Sequence, residues 1–253
     1  EIRDRGADEP ADYASSRPTL AEVAAVRELI ECCRETGARS HIVHLSSGAA
    51  LDLITAARRE GVPITAETCP HFLQFTLDDL LRQGSLLKTA PVVKSIEDRE
   101  RLWRGLAERE IEFITTDHAP AQWPEEKNTG SIWTDYGGVP GVETRLPYLY
   151  SEGVSAGRIT LEQLVKLTAT HPARFFGVDD RKGVCEPRRA GRAFGQRYGH
   201  TGIEQLVENG FRNTEPAGRV LAIDDHEVGG VALTQFRQSL EDSHSPGTAD
   251  DIA

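Results

Sequence analysis

No methionine occurs anywhere in this sequence, and its first residue is Glu1. We therefore expect the natural start to lie upstream, with truncation as the simplest account. No charged-then-apolar leader opens the chain, so no secretory signal is read here. No apolar run approaches the roughly 18 residues that span a bilayer, which excludes a membrane helix at the sequence level. Cysteine is scarce. Cys32 and Cys33 are adjacent, Cys69 and Cys185 stand alone, and no pair has the spacing of a zinc clamp. We read all four as reduced thiols of a cytoplasmic protein. Positive charge is also in deficit: 29 Lys and Arg face 40 Asp and Glu, a net charge of -11. Such a surface repels phosphate backbones and argues against nucleic-acid binding.

What is present is an alternation of helical and strand patterns. Over Thr19 to Thr36 the apolar residues Leu20, Val23, Val26, Leu29 and Ile30 fall at helical spacing, and Gly37 supplies a stop. Ser40 to Leu45 reads as a short buried strand, Ala49 to Glu60 as a helix ended by Gly61, and Ile64 to Thr68 as a second strand. Ile96 to Glu108 reads as a helix with Glu97 and Asp98 in its first turn, where the helix dipole favours acids. Ile111 to Thr115 reads as a third strand. Leu161 to Thr170 reads as a helix behind the N-cap Thr160. Parallel β/α units follow from this order, and residues 1–183 fit part of a (β/α)8 barrel. A doubly wound sheet is the structural alternative, but the glycine-rich first turn is missing. Residues 184–253 differ in character. Pro187 to Arg197 is basic, Gly199 to Gly218 is polar and irregular, and Asp242 to Ala253 has the composition of a disordered tail.

Polar residues stand where the strands end, and barrel chemistry occurs at those ends. His44 closes the first strand. A neutral imidazole there is a good zinc ligand. The plain alternative is a histidine satisfied by a backbone carbonyl. Asp117 closes the third strand. Its carboxylate can hold a metal through one oxygen and shuttle a proton through the other. A helix cap or an arginine salt bridge would explain it equally. His71 follows Pro70 in an expected loop. It could line the site mouth, although a loop histidine is more often simply solvated. His171 precedes Pro172 and is assigned a structural role. Gly137, Gly138 and Gly141 could let backbone approach a ligand, or could make ordinary turns.

Together these segments resemble the cyclic amidohydrolases: dihydroorotases, allantoinases and hydantoinases. The carrying motifs are HIVHLSS (His41 to Ser47), ETCPHFL (Glu67 to Leu73), KTAP (Lys88 to Pro91), TTDHAP (Thr115 to Pro120), EEK (Glu125 to Lys127), GGVPGVET (Gly137 to Thr144) and HPARFFGVDDRKG (His171 to Gly183). They occur in order over about residues 10 to 183. The resemblance implies a TIM-type barrel with one or two zinc ions held by an HxH pair, a carboxylated lysine, two histidines and an aspartate. His44 matches the sixth-strand histidine, and Asp117 the eighth-strand aspartate and general base. The other ligands have no counterpart here, so the zinc site is expected to be incomplete.

The resemblance further implies hydrolysis of a cyclic amide C–N bond in a small-molecule substrate. Thr89, Ala90 and Pro91, with Gly138 and Gly141, would offer backbone hydrogen bonds to the ring, and His71 would lie near it. A homo-oligomer is implied at full length. EEK followed by GVPGVETRLP looks most like dihydroorotases. However, Ala121 stands where many of those carry a histidine and where allantoinases tend to carry cysteine, and Lys94 stands where arginine is common. We therefore expect a dihydroorotase-like enzyme, with allantoinase or hydantoinase as the alternative. After Gly183 the family's small β-sandwich has no visible counterpart. A reading of another class is a non-catalytic relative that keeps the barrel for assembly.

Overall fold

A three-stranded, wholly parallel sheet organises the chain. The computed structural model describes residues 3–184. The expectations for the segment from 185 onward, Cys185 included, lie outside the described residues.

A 3-10 turn (Arg3–Arg5) precedes helix α1 (Pro10–Ser15) and helix α2 (Thr19–Thr36), then strand β1 (Ser40–Ile42) and helix α3 (Gly48–Arg59). Strand β2 (Ile64–Thr68) leads into the short helices α4 (Pro70–Gln74) and α5 (Leu77–Gln83). Helix α6 (Ile96–Ala107) precedes strand β3 (Phe113–Ile114). A long loop then reaches α7 (Arg145–Tyr148), which widens into a π-helical stretch over Leu149–Ser155. Finally α8 (Leu161–Val165) runs through a second π-helical stretch, Lys166–Thr170, into α9 (His171–Phe175).

Capping chemistry explains several boundaries. Gly37 takes the left-handed conformation that ends α2, and its N–H bonds the Cys33 carbonyl. Ser47 and Ser95 cap α3 and α6 by accepting from the Ala50 and Asp98 amides. Thr160 forms a reciprocal capping box with Gln163. Along α2 the inward positions are Val26, Ile30 and Cys33, whereas Leu20 is 70% exposed. The apolar spacing there is broader than the face that is used.

The strand order is β1-β2-β3, with Ser40 opposite Ile64 and Glu67 opposite Phe113. Consecutive parallel neighbours joined by helices are the order of a barrel segment and equally of one half of a doubly wound sheet, whose reversal lies between its halves. Alternation divides the sheet. Ile64, Ala66 and Ile114 turn to the helices and are buried with Leu51 and Ile54 of α3 and Leu102 and Leu106 of α6. Full burial of each such side chain stabilises by about 1.5–3 kcal/mol. Close approach of α3 and α6 depends on Gly105, where a Cβ would lie 2.5 Å from Leu51. His41, Thr65, Glu67, Phe113 and Thr115 occupy the opposite face. The His41 ring stacks on Phe113 with centroids 5.1 Å apart.

Strands β1 and β3 are shorter than their sequence patterns. The expected Ser40 to Leu45 strand stops at Ile42, and the expected Ile111 to Thr115 strand is reduced to Phe113–Ile114. Both are cut by backbone bends, and each bend carries a candidate site residue.

Candidate functional site at the strand ends

His44 stands at a bulge. The ladder pairs Ile42 with Ala66, then resumes where the Leu45 N–H donates to the Glu67 carbonyl at 2.8 Å. Three steps on this strand, Ile42 to Leu45, thus meet two on β2, Ala66 to Thr68, so one extra residue is accommodated, and His44 takes φ +41°. A bulge of this kind re-aims a side chain. The residues that follow hold it firmly. Thr68 Oγ1 donates to the Leu45 carbonyl at 2.7 Å. The Ser46 N–H and hydroxyl donate to the Glu22 carboxylate at 2.8 and 2.7 Å. The Gly48 N–H donates to Asp98 at 2.7 Å. The local motif HLSSG therefore reads as one half-buried imidazole on a pinned corner. Its Nδ1 is buried without a hydrogen-bond partner. The backbone-satisfied alternative is not what this nitrogen shows.

Asp117 sits at the matching bend after β3, with φ +46°. Asp and His are among the residues that enter this region most readily, and its occupation still signals a constraint. The other non-glycine residue with positive φ among those described is Arg109. The Asp117 corner is more open than that of His44, and Asp117 and His118 are both exposed. The glycine loop supports it from outside. His118 pairs with Val139 as an isolated parallel bridge, and Ala119 N–H donates to the Val139 carbonyl at 3.1 Å. His118 Nδ1 accepts from the Gly141 and Val142 amides at 3.0 and 3.3 Å. That nitrogen is therefore the unprotonated one and is already engaged. Only glycine fits at 138, where φ is +152° and a Cβ would meet Ala119 Cβ at 2.5 Å.

His71 corrects an expectation. It is not a solvated loop residue. It lies in α4, is 6% exposed, and packs its ring 4.1 Å from that of Phe72. Pro70 opens the helix and directs His71 inward. Burial pushes the imidazole pKa down to about 4, Asp117 opposes this, and His44 adds to it. His71 thus feels both strand-end residues and stays neutral at pH 7. Its Nε2 has no hydrogen-bond partner among the described residues. Cys69, next along the same turn, has its thiol pushed up to about 12, chiefly by burial. A low-pKa nucleophile is not built there.

The Thr89–Pro91 segment is brought to the glycine loop by a bond from Gly138 N–H to the Lys88 carbonyl, 2.8 Å. Thr89 is buried and Ala90 is exposed. His171 is structural as expected, with Nδ1 2.8 Å from the Glu112 carbonyl. A cleft of about 300 Å³ lined by Arg17, Leu77, Val93 and Lys94 includes none of the candidate site residues.

Two features escaped the sequence reading. Glu67 is a buried carboxylate on β2. It accepts from Thr115 Oγ1 at 2.7 Å and lies 3.3 Å from His41 Nε2. An acid inside a strand of buried neighbours was the available signal. The other is a pair of buried lysines. Lys127 donates to the Ser85 and Leu86 carbonyls at 3.1 and 3.0 Å, and Lys88 donates to the Asp135 carbonyl. The EEK motif thus serves, through Lys127, to anchor the loop after β3.

His44 and Asp117 are donor types that suit zinc, and the unpartnered Nδ1 of His44 is what a ligand position requires. Among the described residues, however, no group of three or more His, Cys, Asp or Glu is arranged to hold a metal. The pair fits as a contribution to a metal centre and not as a complete one. No described helix is long and apolar enough to cross a membrane. Cys32, Cys33 and Cys69 are free thiols.

Comparison with known proteins gives a consistent set. A sequence profile described as the amidohydrolase family matches residues 18–191. An allantoinase of Rubrobacter xylanophilus is 38% identical over 175 residues, covering 69% of this chain and 38% of that protein. An allantoinase of Solibacter usitatus is 37% identical over 247 residues, 97% of this chain and 50% of that protein. Among solved structures, the L-hydantoinase (dihydropyrimidinase) of Arthrobacter aurescens matches with a TM-score of 0.69 at 34% identity. That match covers 73% of this chain and 41% of that one. These relatives are longer, and the chain spans between 38% and 50% of their lengths.

Proposed function

Because the chain belongs to the amidohydrolase family, we propose that it carries part of the active site of a metal-dependent hydrolase of cyclic amides, with allantoin as the foremost substrate. The relatives named above are allantoinases and a hydantoinase, so the support favours the allantoinase or hydantoinase alternative over a dihydroorotase-like enzyme. One observation carries the site assignment. His44 and Asp117, on strands separated only by β2, both bend out of the ladder at positive φ, and both act electrostatically on the buried His71.

In this reading residues 1–183 are the later part of a (β/α)8 barrel, about strands six to eight with their helices, and residues 184–253 are an atypical extension. His44 and Asp117 would hold zinc together with donors outside the described residues. Bound there, zinc would supply Lewis acidity toward the ring carbonyl and a lower pKa for water. Asp117 accepts a proton from the attacking water and returns it to the departing ring nitrogen. The Thr89–Pro91 and Gly138–Gly141 backbones orient the ring. His71, neutral and buried, closes the floor of the site against water. The protein works in the cytoplasm on a small cyclic ureide, is a homo-oligomer at full length, and engages neither nucleic acid nor membrane. A non-catalytic relative is the second reading, favoured by the want of a three-donor cluster among the described residues.

The test is an assay of allantoin, hydantoin and dihydroorotate with added zinc. The chain is assayed alone and then mixed with the N-terminal portion of the Rubrobacter allantoinase that precedes the matched region. Ring opening of allantoin only in the mixture is the expected result. Turnover of dihydroorotate in place of allantoin would contradict the substrate, and turnover by the chain alone would contradict the divided site.

A further inference from the structure

We propose that Tyr13 is a positioning residue for the backbone donors of the Thr89–Pro91 segment, an inference that rests on that segment meeting the substrate ring. Tyr13 lies on α1, remote in sequence, yet is 2% exposed. Its hydroxyl donates to the Thr89 carbonyl at 3.0 Å across 76 residues of chain. The preceding carbonyl, that of Lys88, is taken by the Gly138 N–H at 2.8 Å. In a trans peptide the C=O and the following N–H point in opposite directions. The two bonds therefore direct the Thr89 N–H away from Gly138 and the Ala90 N–H away from Tyr13. Neither N–H has an acceptor among the described residues. Thr89 Oγ1 is likewise buried without a partner. Two successive amides and a hydroxyl are thus left as unused donors on one short segment, chemistry that suits a carbonyl oxygen of a cyclic ureide.

The ring of Tyr13 is itself fixed. Trp133 meets it edge-on at 5.7 Å between centroids, the Lys88 ammonium lies 5.2 Å from its centre, and the Arg17 guanidinium lies 4.3 Å from it. Burial raises the phenol pKa, so the hydroxyl keeps the proton that it donates. The Tyr13 hydroxyl makes no other hydrogen bond among the described residues.

Tyr13→Phe removes the hydroxyl and keeps the ring. Trp133→Phe is the matched control. It removes the 2.7 Å bond from Trp133 Nε1 to the Ala7 carbonyl and loosens the same corner without touching the Thr89 carbonyl. In nitrogen-15-labelled full chain, the Ala90 amide nitrogen belongs to the same peptide as that carbonyl. Its resonance should move in Tyr13→Phe and stay in Trp133→Phe. Titration with allantoin should show affinity about tenfold weaker in Tyr13→Phe, the loss expected for one hydrogen bond, and within about twofold of the unsubstituted chain in Trp133→Phe. An unmoved Ala90 resonance, or equal weakening in both variants, would overturn the proposal. If the unsubstituted chain takes no allantoin even when mixed with the N-terminal portion of the Rubrobacter allantoinase, while the Ala90 resonance shifts as stated, Tyr13 positions the turn as proposed and the substrate reading is what fails.

Discussion

The His44 and Asp117 corners occupy equivalent places, yet they are built in opposite ways. At His44 the chain is pinned from the inside. Leu45, Ser46, Ser47 and Gly48 are buried, the Glu22 carboxylate of α2 accepts from the Ser46 N–H and hydroxyl, and the Asp98 carboxylate of α6 accepts from the Gly48 N–H. At Asp117 the chain is exposed and is held from the outside, by a glycine loop whose amides grip His118. The difference shows how one site combines two needs. A metal-directed imidazole must be immobile, whereas a carboxylate that moves protons and meets substrate needs access. Loops are where such access is found, provided that something rigid positions them.

Three substitutions break this comparison, from the largest expected effect to the smallest. Gly138→Val should cost about 2–6 kcal/mol, because strain at positive φ and overpacking each contribute about 1–3 kcal/mol. Thermal unfolding should register it as a fall of roughly 4–24 °C. A fall under a few degrees would show that the outer loop is not what holds the Asp117 corner.

The second concerns His71, which lies between the corners. Its folded pKa, about 4, is below its ordinary 6.5, so the unfolded chain binds the proton more readily. The resulting stability is fully present above pH 6.5 and is lost as pH falls towards 4. The loss is on the order of 3 kcal/mol. His71→Phe should flatten this part of the stability–pH curve in denaturant melts. An unchanged slope would refute the burial argument.

The third sharpens the His44 side. Glu22→Ala removes the acceptor of two Ser46 bonds and should cost about 1–3 kcal/mol, measured by urea unfolding. The Asp117 side should not respond. Loss of the His118–Gly141 contact in that variant, seen in the Gly141 amide resonance, would mean that the two corners are one unit.

Much of the frame was legible because helices announce themselves locally. Gly37, Ser95 and Thr160 each act through the capping chemistry that their residue type suggests. The parallel order was also legible, since helical patterns separated every strand pattern. The strand ends were not. Nothing in SHIVHL states that His44 turns to positive φ, because the bend depends on partners 22 to 54 positions away: Glu22, Thr68 and Asp98. His71 was misread for a related reason. A histidine after proline looks like a loop, and only the packing of α4 against its surroundings reveals burial. Glu67 is one letter of the ETCPHFL motif, and only the fold shows this acid buried on β2 against Thr115 and His41. Lys127 hid in the same way, as one letter of a charged triplet whose ammonium turns inward to two carbonyls.

The central claim is that His44 and Asp117 act as one pair at the reacting centre. Its most direct test is allantoin hydrolysis by the chain mixed with the N-terminal portion of the Rubrobacter relative, comparing unsubstituted chain with Asp117→Asn and His44→Ala. Far-ultraviolet circular dichroism would confirm an unchanged fold. The account predicts a loss of at least about a hundredfold in either variant, and little further loss when both are combined. A double variant that keeps the unsubstituted rate would contradict it.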